Sequence, residues 1–102
     1  MESKNVDADA PVSPVILPEV LDVRAAAPLA TELLARRGCD VDIDASGVRR
    51  LGGQCLQVLL AAHACWGFER LAFRIVSPSS AFTDGLMLLG ASSLAPSPAD
   101  RR

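Results

Sequence analysis

Three short apolar runs, one with a period of two and one flanked by prolines, predict three β-strands. Residues 15–17 (VIL) lie between two prolines, which favours a strand at the edge of a sheet. Residues 40–45 alternate aspartate with an apolar residue, a pattern typical of a strand with one apolar and one wetter face. Residues 71–76 (LAFRIV) end at Ser77-Pro78 and form the third predicted strand.

Two helices are predicted between these strands. In residues 25–37, leucines recur at helical spacing, Pro28 falls in the predicted first turn, and Gly38 follows the last turn. Residues 54–66 are apolar nearly all round, which predicts a helix that is packed between a sheet and other elements and ends at Gly67. The leucines at helical spacing in the first helix are Leu29, Leu33 and Leu34.

A third helix is predicted to start near Ser79 or Ser80, because either hydroxyl can cap its first turn, and to end before Gly90. The residues expected on one face of it are Phe82, Leu86 and Leu89. Strand and helix therefore alternate three times with short links. This order predicts an α/β fold, in which a small and mainly parallel sheet carries helices joined by right-handed crossovers.

Length and composition indicate one globular domain. The chain has 102 residues, of which 50% are hydrophobic and 22% charged, the balance of a folded protein rather than a disordered one. Residues 1–11 are expected to form a flexible leader and residues 95–102 a flexible tail, since both consist mainly of small and charged residues and the tail contains two prolines. The working domain is then residues 12–94.

Charge and hydropathy exclude several classes of function. Ten Lys and Arg residues against twelve Asp and Glu residues give a net charge of -2, and the basic residues are scattered. A nucleic-acid partner is therefore not expected. The apolar runs are far shorter than the roughly 20 residues that cross a bilayer, so no direct membrane insertion is expected. Residues 1–10 lack the apolar stretch of a signal peptide, which makes the cytoplasm the expected location.

Side chains that often carry chemistry do not form a catalytic or metal-binding pattern. Cys39, Cys55 and Cys65 are odd in number and lack a Cys-x-x-Cys spacing, so reduced thiols, at least two of them buried, are expected. His63 is the only histidine and lies about 12 Å along the helix axis from Cys55, too far for a nucleophile and its base. The three aspartates of residues 40–45 lack the later glycine and glutamate of a calcium loop. No catalytic residue, metal or cofactor is therefore expected.

One loop has the character of an anion site. Residues 49–53 (RRLGG) precede a predicted helix, where exposed amides, the helix dipole and two guanidinium groups would together attract an anion or a nucleotide phosphate. The spacing matches no glycine-rich phosphate loop. A nucleotide-binding domain that uses the loop from Arg49 to Gly53 is one alternative, beside a plain strand-to-helix connection with solvated arginines.

Residues 41–62 resemble the central segment of STAS domains, the fold of the anti-sigma factor antagonists. In that family a strand ends in an Asp-x-Ser-Gly-Val-like stretch, and a short loop leads into Asp-Ser-Ser-Gly-Leu at the start of a helix that continues as Val-Leu-Leu. Here residues 44–48 read DASGV and residues 52–60 read GGQCLQVLL. Residues 17–22 (LPEVLD) resemble the family's step from its first strand into its first helix. The resemblance covers about residues 14–94 and implies a STAS-like layered fold.

The resemblance also implies a missing phosphorylation site. In phosphorylatable members an anti-sigma kinase modifies the first serine of Asp-Ser-Ser-Gly, and the added charge switches partner binding. An ungapped placement of Leu56 on the family leucine puts Gly53 on that serine. Ser46 is an alternative phosphosite, although a Ser-Gly turn already uses its oxygen. The residues expected to bind a partner are Arg49, Arg50, Gly52, Gly53, Gln54 and Gln57.

The resemblance implies a function in binding another protein, without enzymatic activity. The leading expectation is a regulatory adaptor in a bacterial signalling system of the chemotaxis or anti-sigma partner-switching type, with a kinase, an anti-sigma factor or a chemotaxis component as partner. The alternative is the small STAS subunit of a lipid-transport ABC system, whose partner is the transporter ATPase. Met87 and Leu88 on the third helix would either complete the core or support self-association.

Overall fold

The structure, a computed structural model, describes residues 14–94, except for the side chain of Ser92. The predicted leader and tail, residues 1–11 and 95–102, lie outside the described residues, so the domain boundaries stay predictions. The strands are β1 Val15–Ile16, β2 Val20–Leu21, β3 Val41–Asp44, β4 Arg50–Leu51 and β5 Phe73–Val76. The helices are α1 Val23–Ala35, α2 Gly53–Phe68, α3 Ser80–Leu88 and a 3₁₀-helix at Ser92–Leu94. No helix within the described range is both long and apolar enough to cross a membrane.

The main sheet contains three parallel strands in the order β1-β3-β5. In the central strand β3, Ile43 lies opposite Val15 of β1 and Ile75 of β5. β1 occupies an edge, as its flanking prolines predict. The alternation of strands and helices and the parallel pairing confirm the predicted α/β fold.

A second sheet pairs β2 with β4 in parallel, and no periodicity in the sequence predicts it. Val20 lies opposite Arg50, and Leu21 lies opposite Leu51. β2 immediately precedes α1, and β4 immediately precedes α2. The pair therefore holds the starts of these two helices close together.

The core lies between the main sheet and the helices. In β3, Val41 and Ile43 are buried and alternate with half-exposed aspartates, as the period of two predicts. The indole N–H of Trp66 donates to the carbonyl oxygen of Cys39 at 2.7 Å, so this large buried ring keeps its polar atom satisfied. The buried residues of α2 are Cys55, Leu56, Leu59, Ala62 and Trp66.

Helix α1 starts two residues earlier than the sequence predicts. Asp22 is its N-cap, and the carboxylate accepts a hydrogen bond from the Arg24 N–H at 3.0 Å. Pro28 therefore lies in the second turn, and its predicted place in the first turn is wrong. Because proline has no N–H, it cannot bond to the carbonyl oxygen of Arg24, one turn earlier. After the helix, Gly38 adopts a φ of +92°, a conformation that glycine tolerates well.

The ends of α2 and α3 differ in how well the sequence predicts them. Gly67 does not end α2, because the N–H of Glu69 still donates to the carbonyl oxygen of Cys65 at 3.1 Å. At the start of α3, the Ser79 hydroxyl accepts a hydrogen bond from the Phe82 N–H at 3.0 Å, which confirms the predicted serine cap. A φ of +74° at Gly90 follows this helix.

Several apolar side chains stay in solvent. Leu34 is 65% exposed whereas Leu33 is 3% exposed, because consecutive residues differ by about 100° around a helix. Met87 and Leu88 are 67% and 86% exposed, so the interpretation that they complete the core is wrong. Leu89 is also exposed, because it lies at the C-cap of α3 instead of on the buried face.

The three thiols differ in exposure. Cys55 is buried, Cys65 is half-buried, and Cys39 is exposed in the connection between α1 and β3. All three are free, but the prediction that at least two are buried is wrong. Cys39 lies outside the regular elements, and its carbonyl oxygen accepts the hydrogen bond from the buried Trp66.

Two neighbouring leucines of α1 test the packing directly. We expect Leu33→Ala to lower the free energy of unfolding by about 2–5 kcal/mol, because it removes buried methyl groups and leaves a cavity. Leu34→Ala is the matched control and should change it by less than about 0.5 kcal/mol. Urea denaturation measures both variants, and equal losses would contradict the observed orientation of α1.

Candidate partner-binding site

The segment that the STAS resemblance singles out begins with a turn after β3. The Ser46 N–H donates to a carboxylate oxygen of Asp44 at 2.9 Å. Hydrogen bonds from the backbone and hydroxyl of Ser46 lower the pKa of Asp44. Ser46 is exposed, but a phosphate on its oxygen would meet the negative charge of this carboxylate. The structure therefore gives Ser46 a role in the turn, and its phosphorylation stays a prediction.

Backbone hydrogen bonds fix the next residues against the segment around β2. The N–H groups of Arg49 and Arg50 donate to the Glu19 carbonyl oxygen at 2.7 and 3.2 Å. The Gly52 N–H donates to the Leu21 carbonyl oxygen at 2.9 Å. Both arginine side chains remain exposed. Three backbone hydrogen bonds thus fix this loop, and the exposed guanidinium groups of Arg49 and Arg50 extend from it into solvent.

The two adjacent glycines of this loop have different surroundings. Gly52 is the N-cap of α2, and a Cβ atom there would lie 2.8 Å from the carbonyl oxygen of Leu21. A backbone oxygen cannot move aside cheaply, so this position needs glycine. At Gly53, the first residue of α2, an added Cβ would meet no heavy atom within 4 Å. Gly53 therefore has room for a larger side chain that points into solvent.

The predicted partner-binding residues lie in one solvent-accessible region. Gln57 lies one turn after Gly53 and Gln54, since residues three and four apart are neighbours on a helix. The Arg49 guanidinium is 3.7 Å from the carboxylate of Glu19, and both groups are largely exposed, so this pair contributes little stability. We call the following set the loop–helix surface: exposed Arg49, Arg50, Gly53, Gln54 and Gln57, with half-buried Gly52.

Cys55 connects the start of α2 to the start of α1. Its thiol donates to the carbonyl oxygen of Asp22 at 3.3 Å. Burial raises the pKa of the Cys55 thiol, and the negative charge of Asp22 adds to the effect. A thiol whose pKa is raised forms little thiolate, so Cys55 has a structural role. His63 is exposed, and its ring and that of Phe73 form a T-shaped pair with centroids 5.8 Å apart.

Two residues that the sequence analysis does not assign to the site hold α3 beside it. The Ser79 hydroxyl donates to the Val48 carbonyl oxygen at 2.6 Å, and a Cβ at Gly85 would lie 3.0 Å from the Cβ of Leu51. Both contacts join segments that are about thirty residues apart, so no local pattern reveals them. The available signal is a glycine inside a predicted helix, which often marks close packing.

The aspartates around β3 do not converge on one point. Asp40 accepts a hydrogen bond from the Ala72 N–H at 2.9 Å, and Asp42 pairs with the Arg74 guanidinium at 2.9 Å. Asp44 bonds to the turn that follows β3. Within residues 14–94 there is no group of three or more histidine, cysteine, aspartate or glutamate residues that could hold a metal ion. These carboxylates instead join strands and shape a turn.

A family model described as Mlab, STAS domain matches residues 5–96. The match includes all of the described fold and the loop–helix surface, and the chain therefore belongs to the STAS domain family. STAS domains are in general non-enzymatic regulatory domains that bind protein partners. No curated protein and no solved structure matches the chain.

Because the two glycines have different surroundings, replacement by alanine should destabilise the fold at Gly52 but not at Gly53. Gly52→Ala should lower the free energy of unfolding by about 1–3 kcal/mol, because its methyl group meets the Leu21 carbonyl oxygen. Gly53→Ala should change it by less than about 0.5 kcal/mol, because the position is open. Thermal and urea denaturation measure both. A stable Gly52→Ala variant would contradict the close approach of β4 to β2.

Proposed function

We propose that this STAS domain is a regulatory adaptor that binds a partner protein through the loop–helix surface. The observation that carries the proposal is the contrast between backbone and side chains at this surface. The backbone is held by hydrogen bonds to Glu19 and Leu21, whereas Arg49, Arg50 and the two glutamines point into solvent. Because the backbone is already ordered, binding adds no cost for ordering the loop, and the conformational entropy that is lost on association comes from the side chains.

The proposed binding does not depend on phosphorylation at the usual family position. That position corresponds to Gly53, which has no hydroxyl and is exposed at the start of α2. A phosphate there would add about two negative charges to the centre of the surface and change its fit to a partner. With glycine, the surface keeps one charge state, and we propose that the domain is permanently competent to bind.

The biological setting that we propose is a bacterial signalling system in the cytoplasm, of the chemotaxis or anti-sigma partner-switching type. The partner is then an anti-sigma kinase, an anti-sigma factor or a component of a chemotaxis complex. The support is the family membership together with the exposed cations Arg49 and Arg50, which favour a partner that presents carboxylates.

A charge reversal within the surface tests the proposal. We expect Arg50→Glu to weaken binding to a purified anti-sigma kinase or chemotaxis component that co-purifies with the chain by about tenfold or more, because it replaces attraction to carboxylates by repulsion. Arg70→Glu is the matched control, since Arg70 is also exposed but follows the other end of α2, a helix about 24 Å long. Calorimetry or surface plasmon resonance measures both, and unchanged binding by Arg50→Glu would contradict the proposal.

Adding a negative charge at Gly53 tests whether charge at this position controls partner binding. Gly53→Asp should leave the fold intact, because the site is open and an acidic residue suits a helix N-terminus, and should weaken partner binding by about tenfold. Gly53→Asn is nearly equal in size but neutral, and should bind within about threefold of the original chain. Equal losses for the two variants would show that side-chain size, not charge, decides binding.

A second candidate is the small STAS subunit of a lipid-transport ABC system. The missing hydroxyl at Gly53 is as compatible with this candidate as with the signalling adaptor, because such a subunit is not required to be phosphorylated. The two candidates differ in the partner: a stable complex with a transporter ATPase supports the second, and a complex with a kinase or a chemotaxis component supports the first. Arg50→Glu tests either complex in the same way.

Nucleotide binding at the loop from Arg49 to Gly53 is the remaining alternative from a different class of function. Arg49 already has Glu19 as a neighbour, and the Arg49 and Arg50 amides are used by the Glu19 carbonyl oxygen. Titration of the chain with ATP and GTP in a calorimeter separates this alternative from partner binding. Binding tighter than the millimolar range would support it, and the absence of heat would exclude it.

A further inference from the structure

Helix α3 lies against the loop that leads into α2. At the start of the helix, the Ser79 hydroxyl donates to the Val48 carbonyl oxygen. Six residues later, Gly85 approaches Leu51 so closely that an added Cβ would lie 3.0 Å from the Leu51 Cβ and 3.2 Å from its Cδ2. Helix and loop therefore contact each other at two points.

The order of these two contacts shows that helix and loop run in the same direction. From Ser79 to Gly85 the helix rises about 9 Å, and from Val48 to Leu51 an extended chain advances about 10 Å. The next turn of α3 therefore lies level with the residues that follow Leu51, among them Gly52 and Gly53 of the loop–helix surface. That turn contains Leu88.

Two exposed apolar side chains of this turn point in different directions. At about 100° per residue, Leu88 lies about 60° from Gly85 around the helix axis, whereas Met87 lies about 160° from it. Leu88 is 86% exposed and Met87 is 67% exposed. Leu88 therefore adjoins the side of α3 that contacts Leu51, and Met87 points away from it.

We propose that Leu88 is the apolar anchor of the same partner-binding site, so that the docking surface extends from the loop–helix surface across Leu51 and Gly85 onto α3. This inference rests on the proposed function. Leu51 is half-buried and forms an apolar contact between the loop–helix surface and α3. An apolar centre with a charged rim is the usual arrangement of a protein–protein interface.

The charges on either side of Leu88 define the partner segment. Arg49 and Arg50 lie toward the loop, and Asp84 is exposed four residues before Leu88 on a neighbouring part of the α3 surface. The segment that fits is part of a folded protein and presents an aliphatic or aromatic side chain to Leu88. It carries a carboxylate on the side of Arg50 and a cation on the side of Asp84, which fixes its direction across the surface.

The test compares two substitutions in one turn of one helix, with the purified partner used for Arg50→Glu as the probe. Leu88→Ser should weaken binding by about tenfold or more, as expected for a central apolar contact, and Met87→Ser by less than about threefold. Both residues are exposed, so both variants should unfold at the temperature of the original chain. Equal affinities of the two variants would overturn the inference.

Two further outcomes separate this inference from the proposed function. If Arg50→Glu weakens binding and Leu88→Ser does not, the loop–helix surface binds the partner without α3, and only this inference fails. If neither variant affects the complex, the proposed function fails as well. Sedimentation of the free chain completes the test: a dimer that Leu88→Ser converts to a monomer would show that a second copy covers Leu88, and would overturn the inference.

Discussion

The close approach of Gly52 to the backbone of Leu21 is the constraint on which the site depends. A hydrogen bond of 2.9 Å joins the two residues, and the space beside Gly52 is too small for a Cβ atom. This contact pairs β4 with β2 and places the first turn of α2 beside the N-cap of α1. The exposed residues that follow Gly52 therefore emerge from a fixed point, although their own side chains are free.

Segments that show a period were predictable, and so was the short strand β1 because prolines flank it, but β2 and β4 were not. Residues 40–45 alternate over three repeats, and the helices carry recognisable caps such as Ser79 and Gly90. β2 and β4 are two residues long, so they have no period, and they form because segments thirty residues apart pair through their backbones. The misplaced first turn of α1 has a local cause: the Asp22 cap competes with the proline as a sign of where the helix starts.

The resemblance to STAS domains predicts where the candidate site lies, but not how the surroundings of its individual residues differ. Gly52 and Gly53 are identical in the sequence, and only the fold shows that one is packed against a carbonyl oxygen while the other is open. The same holds for α3, where Leu86 is buried and Leu88 is exposed although both belong to one apolar run. Such distinctions depend on which surface each residue meets, and that is decided by tertiary contacts.

The proposed partner-binding surface lies at one end of α2, on exposed residues that contribute little to the core. The most direct test is to record amide chemical shifts of the isotopically labelled chain as the purified partner is added. We predict that the changes concentrate at residues 49–57 and extend to residues 84–88. Changes centred on the surface between α1 and α2, around Leu34 and Val58, with none at residues 49–57, would contradict the account.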